Sequence, residues 1–540
     1  MARDLFTINK TLFQICSSTN WQQPLLFTKN LIDYIPVPVI FSHNTMNCFQ
    51  KTRFPAVLIM LLAVCATAQA QPRELTLNEV LYESIGNNLS LKIASYDRYL
   101  SEQDIQIAES AFDTTLFGNA DLSKEEQDYT LSRSESQSAA MGARKSFSTG
   151  TSVTLQTSYR RSDGSRFDSS LNQVIGGNLS YNTGITLSIR QPLLQGFGVS
   201  ANKANIWKAE SQLEVSKLEY RNWVLDIVNS TEKAYWNCAF QNARLELSST
   251  SVEVAKSLLE ETEQRAEVGL ATQLDVLQAR ANLATQQESY IDAQRYVKDA
   301  SDQLLTVMGK LKPGFDETEY GVSGLPEMET EIPTLSAVWS GALTTDLNLR
   351  IQQVNIESLG FDRILAKDNM KTQLDLVLSG SSTGLSSESS SDAISGALER
   401  QGHDWGVGLE LNIPIGKRSS KASLNKIDAY IEREQTRLDQ IEQQLFQDVR
   451  SQWRTLSVGM EKLSAARVTL ELEKQAFEQA QVKYSNGLAV FRDVEQAQDS
   501  LNRARITELN AWYTALAAEA DLSRLDGSLL QRLNINVDFE

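Results

Sequence analysis

Few side chains in this 540-residue sequence have the types and spacing that catalysis or metal binding would need. Beyond an expected N-terminal export signal, Cys238 and His403 are the only cysteine and histidine, and they lie far apart in the chain. A tetrahedral metal site needs several such ligands at short spacing. No nucleophile elbow, phosphate-binding loop or dinucleotide fingerprint occurs in the sequence. The sequence therefore predicts no catalytic, cofactor or metal site.

Acidic side chains are the remaining candidates for chemistry. The formal net charge is −17, which argues against nucleic-acid binding because that function needs a basic surface. A pair of carboxylates could act in a secreted hydrolase. Most Asp and Glu residues, however, lie together with Lys and Arg along segments of helical periodicity, as they do on solvated helix faces. A secreted enzyme consequently has little support.

Two of the aspartates lie in a motif that occurs twice. The first copy is VGLATQLDVLQARANL (Val268–Leu283), and the second is NGLAVFRDVEQAQDSL (Asn486–Leu501). The copies align without a gap, so that Asp275 pairs with Asp493. A repeat at this distance in the chain indicates a duplicated half-protein.

Long segments without proline flank both copies of the motif. Their apolar residues recur at three- and four-residue spacing, which predicts amphipathic helices. The expected helices cover Val199–Val268, Ala271–Met308, Lys417–Asn486 and Leu488–Asp526. The motif is then the tip of a helical hairpin, in which Gly269 and Gly487 end the two longer helices. One hairpin cannot bury both of its faces, so neighbouring helices are needed.

The duplication extends upstream of the long helices. LNEVLYESIGNNLSLKI (Leu77–Ile93) matches LSAVWSGALTTDLNLRI (Leu335–Ile351), so each half begins with a short helix that leads into a second helical segment. Between these segments and the long helices, apolar and polar residues alternate, at about 112–194 and about 371–414. This period predicts a pair of strands in each half.

The alternation fits two kinds of sheet. Asp404–Pro414 has apolar residues on one face and polar residues or glycine on the other. A strand of a membrane β-barrel needs this pattern, and a half-buried strand of a soluble sheet shows it as well. The export signal and the paired long helices favour the barrel. The serine-rich stretches Ser123–Gly142 and Ser379–Gly396 predict exposed loops.

The N-terminal region predicts an export signal and divides the chain. Residues 1–45 are a doubtful extension, because a signal would start at Met46. Residues 46–70 have a basic start, an apolar core and small residues before a cut at Gln71. A buried core helix and a lipid anchor on Cys65 are the alternatives. The further divisions expected are a first repeat (71–310), a linker (311–332), a second repeat (333–526) and a tail (527–540).

The order of elements and the motifs together resemble the TolC-like outer membrane efflux protein family. The similarity covers about Glu74 to Leu533. It rests on the tip turns VGLATQLDVLQA and NGLAVFRDVEQA and on the strand exits RQPLLQGFG and NIPIGKR. The resemblance implies an α+β membrane protein that forms a homotrimer. Four strands from each chain would form a twelve-stranded outer membrane β-barrel, continued into the periplasm by an α-helical coiled-coil barrel.

The resemblance also implies a function without catalysis. Proteins of this family are exit ducts for drug efflux pumps and type I secretion systems in Gram-negative bacteria. They dock onto a periplasmic adaptor protein and an inner-membrane transporter, either a proton-driven RND pump or an ATP-driven ABC exporter. The cargo and the kind of pump stay open. The alternative is an exported coiled-coil scaffold or adhesion-type structural protein without a channel.

Closure of the barrel can also be argued from the residues. Four strands cannot close a barrel whose interior is a channel, so several copies of the chain must share one. Closed cyclic symmetry is the usual arrangement of such copies. The outward face would then contact outer membrane lipid.

The resemblance places acidic gate residues at the tip. Asp493 matches a position where acidic side chains ring the aperture, whereas Gln496 stands at a second position that is acidic in the family. A ring of Asp493 carboxylates would favour cations in a narrow pore. Alternatively, Asp275 and Asp493 only cap the helices that follow the turns.

The resemblance also places a latch and a docking surface at the tip. Tyr484 matches a latch tyrosine, and the usual aspartate partner of that tyrosine matches Asp275. The family's latch arginine is replaced by Ala489, so Arg492 is the candidate substitute. The adaptor-docking turns would be Gly269, Leu270 and Ala271 in the first hairpin and Gly487, Leu488 and Ala489 in the second.

Overall fold

The structure is a computed structural model that describes residues 74–127, 132–168, 170, 173–176, 179–314, 321–322, 326 and 332–536. The expected extension (1–45) and export signal (46–70), with its cleavage point and Cys65, lie outside the described residues. Much of the expected linker and the end of the tail also lie outside them.

Helices form most of the described chain, and both halves share the order short helix, second helix, long helix and return helix. In the first half they are α1 (Leu77–Asn87), α2 (Leu89–Glu109), α3 (Val199–Glu267) and α4 (Gln273–Val307). In the second half they are α5 (Leu335–Thr345), α6 (Leu347–Asp368), α7 (Ser390–Leu398), α8 (Arg418–Ser485), α9 (Phe491–Leu525) and α10 (Leu529–Arg532). To the shared order the second half thus adds α7 and α10.

Short polar side chains determine where the short helices begin. At α1, the Glu79 N–H donates to Thr76 Oγ1 (3.4 Å) and the Thr76 N–H donates to Glu79 Oε2 (3.0 Å), which is a capping box. Between the helices of each pair, Asn88 and Asp346 accept hydrogen bonds from the first N–H groups of α2 and α6. The chain therefore turns at equivalent positions between α1 and α2 and between α5 and α6, although the two sequences differ.

The long helices form two hairpins. Helix α3 has 69 residues and α8 has 68, so each is about 100 Å long at about 1.5 Å per residue. Helix α3 packs against α4, α8 packs against α9, and α3 also packs against α9. The bounds lie within a few residues of those expected from the pattern, because the glycines and capping residues that end the helices are visible in the sequence.

One large antiparallel sheet connects the two halves. Its strands are β2 (Thr114–Gln127), β3 (Ser132–Ser146), β4 (Ser152–Asp168), β5 (Gln173–Gly176), β6 (Ser180–Pro192), β8 (Gln373–Ser386) and β9 (Gly402–Asn412). The order is β2-β3-β4-β6-β8-β9, and the short β5 pairs with β4. A separate parallel pair consists of β1 (Glu74–Leu75) and β7 (Gly321–Val322).

The expected strand pair at about 112–194 is wrong, because four long strands occupy this range. The stretch Ser123–Gly142, expected to be a loop, supplies the end of β2 and most of β3. Its serines obscured the strand signal, because small polar residues at alternate positions suit a loop as well as a strand. Likewise, the expected loop Ser379–Gly396 holds the end of β8 and most of α7.

The sheet has one apolar and one polar face. One row of paired residues across all six long strands runs Leu116, Ala143, Leu155, Leu187, Gly380 and Trp405. The neighbouring row on the opposite face runs Phe117, Gly142, Gln156, Thr186, Ser381 and Asp404. Trp405 is 81% exposed and Leu116 is also 81% exposed. The apolar face is therefore exposed at this level of the single chain, whereas farther from the long helices α7 packs against it at Thr183 and Gly384.

The main core lies where the short helices meet the long ones. Trp236 on α3 packs edge-on against Trp512 on α9, with ring centroids 6.1 Å apart. The hydroxyl of Tyr235 donates to the Leu75 carbonyl of β1 at 3.1 Å. Cys238 is fully buried in the same cluster, and burial raises the pKa of its thiol. Its environment is that of a packed small hydrophobe.

Candidate functional site

Two glycine turns join the long helices and form the tip. After α3, Gly269 has a φ of +76°, and the Leu270 N–H donates to the Arg265 carbonyl at 2.8 Å. After α8, Gly487 has a φ of +72°, and the Leu488 N–H makes the equivalent bond to the last helical turn at 2.8 Å. A positive φ is costly for residues with a Cβ, so both positions favour glycine.

The two tip aspartates cap the helices that follow the turns. Asp275 Oδ2 accepts hydrogen bonds from the Thr272 N–H (2.8 Å) and hydroxyl (2.7 Å), and the Asp275 N–H donates to Thr272 Oγ1 (3.2 Å). Asp493 Oδ2 accepts a longer bond from the Val490 N–H (3.3 Å), and valine has no side-chain acceptor to complete the box. This geometry agrees with the capping alternative. Asp493 is exposed, whereas Asp275 is half-buried.

Tyr484 connects the ends of the two longer helices. It is 4% exposed, and its hydroxyl lies 3.0 Å from Thr262 Oγ1 on α3. The guanidinium carbon of Arg265 lies 4.3 Å from the centroid of the Tyr484 ring, within the range of a cation–π contact. Phe491 packs edge-on against the same ring, with centroids 6.4 Å apart.

The expected partner of Tyr484 was Asp275. Within this chain, the hydroxyl of Tyr484 instead pairs with Thr262. Asp275 is engaged with Thr272, one turn away in its own hairpin. Sequence reasoning missed both Thr262 and Arg265. Arg265 carried a weak signal, because a basic residue in the last turn of a helix interacts favourably with the helix dipole.

The remaining tip residues lie on the surface or at its edge. Arg492 and Gln496 are exposed, and Ala489 is half-buried against the cluster below the turn. Arg492 therefore does not take the position over Tyr484, which Arg265 occupies. Burial raises the pKa of the Glu495 carboxyl, and the nearby charge of Asp499 raises it further. Glu495 is thus an acidic group at the tip that the sequence reasoning did not single out.

An apolar cluster supports the tip from inside. Its buried members come from all four long helices: Leu258, Ala279, Phe477, Tyr484, Phe491, Val494 and Leu501. Above it, Asn282 on α4 donates to Gln498 on α9 at 3.3 Å, and both side chains are buried. The hairpins therefore hold each other within one chain, by packing and by a buried amide contact.

The turns themselves present apolar side chains outward. Leu270 is 72% exposed and Leu488 is 79% exposed. Val268 and Val490, beside them, are also exposed. Exposed apolar side chains grouped at one end of a molecule indicate a contact surface.

The described residues offer neither a metal site nor a membrane-spanning helix. No three His, Cys, Asp or Glu side chains among them come together as a metal site. None of their helices is both long enough and apolar enough to cross a membrane.

Comparison with known sequences places the chain among outer membrane efflux proteins. The model of the outer membrane efflux protein family matches it twice, over residues 80–310 and 340–528. The chain is 21% identical over 478 residues to the outer membrane efflux protein BepC of Brucella suis, covering 88% of this chain and 90% of BepC. It is 24% identical over 341 residues to the outer membrane protein TolC of Escherichia coli, covering 60% of this chain and 66% of TolC. The match thus spans just under two thirds of TolC.

Solved structures share the fold. The outer-membrane channel OprN superposes with a TM-score of 0.64 at 15% identity, covering 84% of this chain and 90% of OprN. The CmeC outer membrane channel of Campylobacter jejuni superposes with a TM-score of 0.62 at 14% identity, covering 86% of this chain and 90% of CmeC. Because the family model matches both halves and most of the chain, the chain belongs to the outer membrane efflux protein family.

Proposed function

We propose that this protein is the outer membrane exit duct of a tripartite efflux pump or a type I secretion system. The observation that carries the proposal is one continuous sheet with an apolar face, joined directly to two long helical hairpins that end in a common tip. An apolar sheet face suits lipid, and the polar helices suit the periplasm. The family consists of channel proteins, and among the relatives is the protease secretion protein PrtF of Dickeya chrysanthemi.

The duct would be assembled from three copies of the chain. An open sheet in a membrane leaves edge N–H and C=O groups without partners, so it must close with other copies. Three copies would bring together the hairpins of each chain as a helical tunnel. The tip turns, with Leu270 and Leu488 outermost, would dock a periplasmic adaptor protein, which in turn contacts an inner-membrane transporter of the RND or ABC class.

The tip would also be the gate. Asp493 is exposed beside the turn, so three copies would place three carboxylates around the axis and favour cations. Asp275, Gln496 and Arg492 would lie around the same aperture, with Arg492 as the candidate latch arginine. Tyr484 would hold the tip closed through Thr262, because this contact joins the ends of both hairpins.

Ion conductance in a planar bilayer tests the duct. Wild-type protein should give small, cation-selective steps, and Asp493→Asn should weaken the selectivity. Asp439→Asn removes the same charge from an exposed position on α8 far from the tip, so it should leave the selectivity unchanged. Equal selectivity in all three proteins would support the duct but show that its constriction does not lie at Asp493.

The competing function is an exported coiled-coil scaffold or adhesion-type protein without a channel. It predicts no conductance and no trimer in detergent. The uncovered apolar face of the sheet is the observation against it, because such a face on a soluble scaffold would promote aggregation.

A further inference from the structure

We propose that each chain contributes six strands to the barrel, so that a trimer closes eighteen strands rather than twelve. This proposal rests on the proposed trimeric duct. The extra strands lie between α2 and α3, where β2, β3, β4 and β6 are consecutive neighbours in the sheet. Between α6 and α8, the second half has only β8 and β9.

The first argument is that the apolar face continues across all six strands at the level of the row from Leu116 to Trp405. Leu116 on β2 and Met141 on β3 are 81% and 64% exposed on this face. They lie on the same face as Leu155 of β4 and Leu187 of β6, to which the register connects them. If β2 and β3 lay outside the barrel in water, they would not need apolar side chains at the same height as those of the other strands.

The apolar band is also tilted as a barrel requires. On β9, Val407, Leu409 and Leu411 lie on the helical side of the hydrogen-bonded row that contains Trp405. On β2, Leu122 lies on the far side of the same row from the helices. The band therefore crosses the rows obliquely from one edge of the sheet to the other. Barrel strands tilt by about 35–45° to the axis, and a level membrane then crosses the rows in this way.

The second argument is that the turn between β3 and β4 is built into the base of the sheet. The Gly198 N–H, just before α3, donates to the Thr149 carbonyl in this turn at 3.1 Å. Gly150 packs so closely that a Cβ there would lie 2.1 Å from the Gly196 carbonyl oxygen. Asn202 on α3 donates to the Gly196 and Gly198 carbonyls, both at 2.8 Å. The β3–β4 turn is thus anchored at the point where β6 leads into α3.

The third argument is that the polar face is shared by the same strands. Arg144 on β3 lies over the ring of Phe117 on β2, 5.8 Å from its centroid. Farther along the sheet, Arg190 on β6 bonds to Asp375 on β8 (2.8 Å) and to Glu410 on β9 (2.6 Å). Charged side chains on this face and apolar ones on the other fit a water-filled interior.

The two edges of the sheet require a partner, and a second copy of this chain supplies it. In one chain, β2 and β9 are the edges, and their backbone groups cannot stay unpaired in lipid. The β9 edge of one copy would pair with the β2 edge of the next, and three such contacts close the ring. Barrel diameter grows roughly in proportion to strand number, so the membrane part would be about 1.5 times as wide as a twelve-stranded one.

Cysteine cross-linking between copies tests which strand meets β9. Gly408 is suitable because a Cβ there meets no atom of the described residues within 4 Å, apart from its chain neighbours, and it lies on the polar face. Gly408→Cys would be combined, one at a time, with cysteines along the polar face of β2 at Phe117, Asn119, Asp121 and Ser123. The matched panel places cysteines along the polar face of β4 at Thr154, Gln156, Ser158 and Arg160. Native Cys238 is buried and gives little background.

We expect copper-catalysed cross-links between copies for one or two neighbouring β2 positions and for none of the β4 positions. Cross-links from β4 would show that β2 and β3 lie outside a twelve-stranded ring, and would overturn the proposal while leaving the duct intact. Trimers without a cross-link in either panel would overturn it as well. A monomer in detergent that conducts no ions would instead overturn the proposed function.

A variant that lacks two of the six long strands, β3 and β4, gives a second measurement. Deletion of residues 128–176 would let β2 connect directly to β6 and leave four long strands in the chain. We expect this variant to form trimers whose outer mouth excludes smaller polyethylene glycols than the wild type does, when the polymers are added on the barrel side of a planar bilayer. An unchanged size limit would overturn the eighteen-stranded ring.

Discussion

Single side chains at the tip hold the two hairpins together. Tyr484 illustrates this, since its hydroxyl meets Thr262 across 222 positions of sequence. The importance of Tyr484 could be inferred from its place beside the repeated turn. Its partner could not, because the contact depends on how α3 and α8 pack, and no local pattern encodes that. The same holds for Arg265, which lies over the ring.

Loss of the Tyr484 hydroxyl should loosen the tip. Thr262 Oγ1 also donates to the Leu258 carbonyl at 2.7 Å, so Tyr484→Phe leaves the threonine with one partner. The expected cost is about 1 kcal/mol of local stability. Amide hydrogen exchange around the second turn should then be about five times faster. Tyr430→Phe on the same helix, far from the tip, is the control. Equal exchange in the two variants would show that the hydroxyl contact does not hold the tip.

A half-buried carboxyl on α9, that of Glu519, should make stability depend on pH. Burial is the main reason why the pKa of Glu519 is raised above 4.5, and the neighbouring Glu232 raises it further against the opposing effect of Arg532. The folded state then binds the proton more tightly than the unfolded state. Ionisation of Glu519 therefore lowers stability as the pH rises from about the unfolded pKa through the folded pKa.

Glu519→Gln should consequently raise the melting temperature at pH 7. The difference from wild type should shrink as the pH falls through 4.5, because the wild-type carboxyl becomes neutral in both states below that pH. Glu442→Gln, at an exposed position on α8, is the control and should show little difference. A Glu519→Gln effect that is independent of pH would mean that packing, rather than ionisation, is responsible.

At the scale of elements, the helices were predictable and the sheet was only partly so. Apolar spacing and the terminal glycines placed α3, α4, α8 and α9 within a few residues. Strand β3 was missed because Ser134, Ser136 and Ser138 supply its polar positions, a composition that equally suits a loop. Its outward residues, Ala139, Met141 and Ala143, are small or flexible rather than β-branched. Only pairing with β2 and β4 makes this stretch a strand.

The glycine turns at the tip should be destabilised by a single methyl group. Among the described residues other than its chain neighbours, no atom lies within 4 Å of a Cβ at Gly269, so the cost of Gly269→Ala comes from its positive φ alone and should be about 1 kcal/mol. Gly269→Asn should cost less, because asparagine tolerates this conformation. Amide hydrogen exchange in the turn should therefore be faster in Gly269→Ala than in Gly269→Asn.

Gly360 provides the matched control for the glycine turns. It lies inside α6, and a Cβ there also meets no atom within 4 Å. Gly360→Ala should stabilise the protein by about 0.5–1 kcal/mol, because glycine is a poor helix former. If alanine were stabilising at both positions, the positive φ of Gly269 would not be a constraint on the turn.

At the scale of the whole molecule, two exposed apolar surfaces at opposite ends of the long helices need different partners. The sheet face is broad and continuous, which suits lipid. The tip surface is small and consists of a few side chains on two turns, which suits a protein partner that binds by limited contacts. The family and its general architecture followed from the sequence. The strand number did not, because it depends on pairing between segments of weak pattern.

Charge at the tip leucines should weaken docking of the proposed adaptor without affecting the proposed duct itself. Leu270 and Leu488 are 72% and 79% exposed, so Leu270→Glu with Leu488→Glu should change the melting temperature little. Buried against an adaptor, the same carboxylates would lack partners and weaken the complex strongly. Cells that depend on the protein for efflux should therefore become drug-sensitive, while trimer yield and bilayer conductance stay close to wild type. Val468→Glu with Leu472→Glu places the same charges at exposed positions of α8 (63% and 61%) away from the tip. Full efflux by the tip variant, or equal loss in the control, would show that the adaptor docks elsewhere.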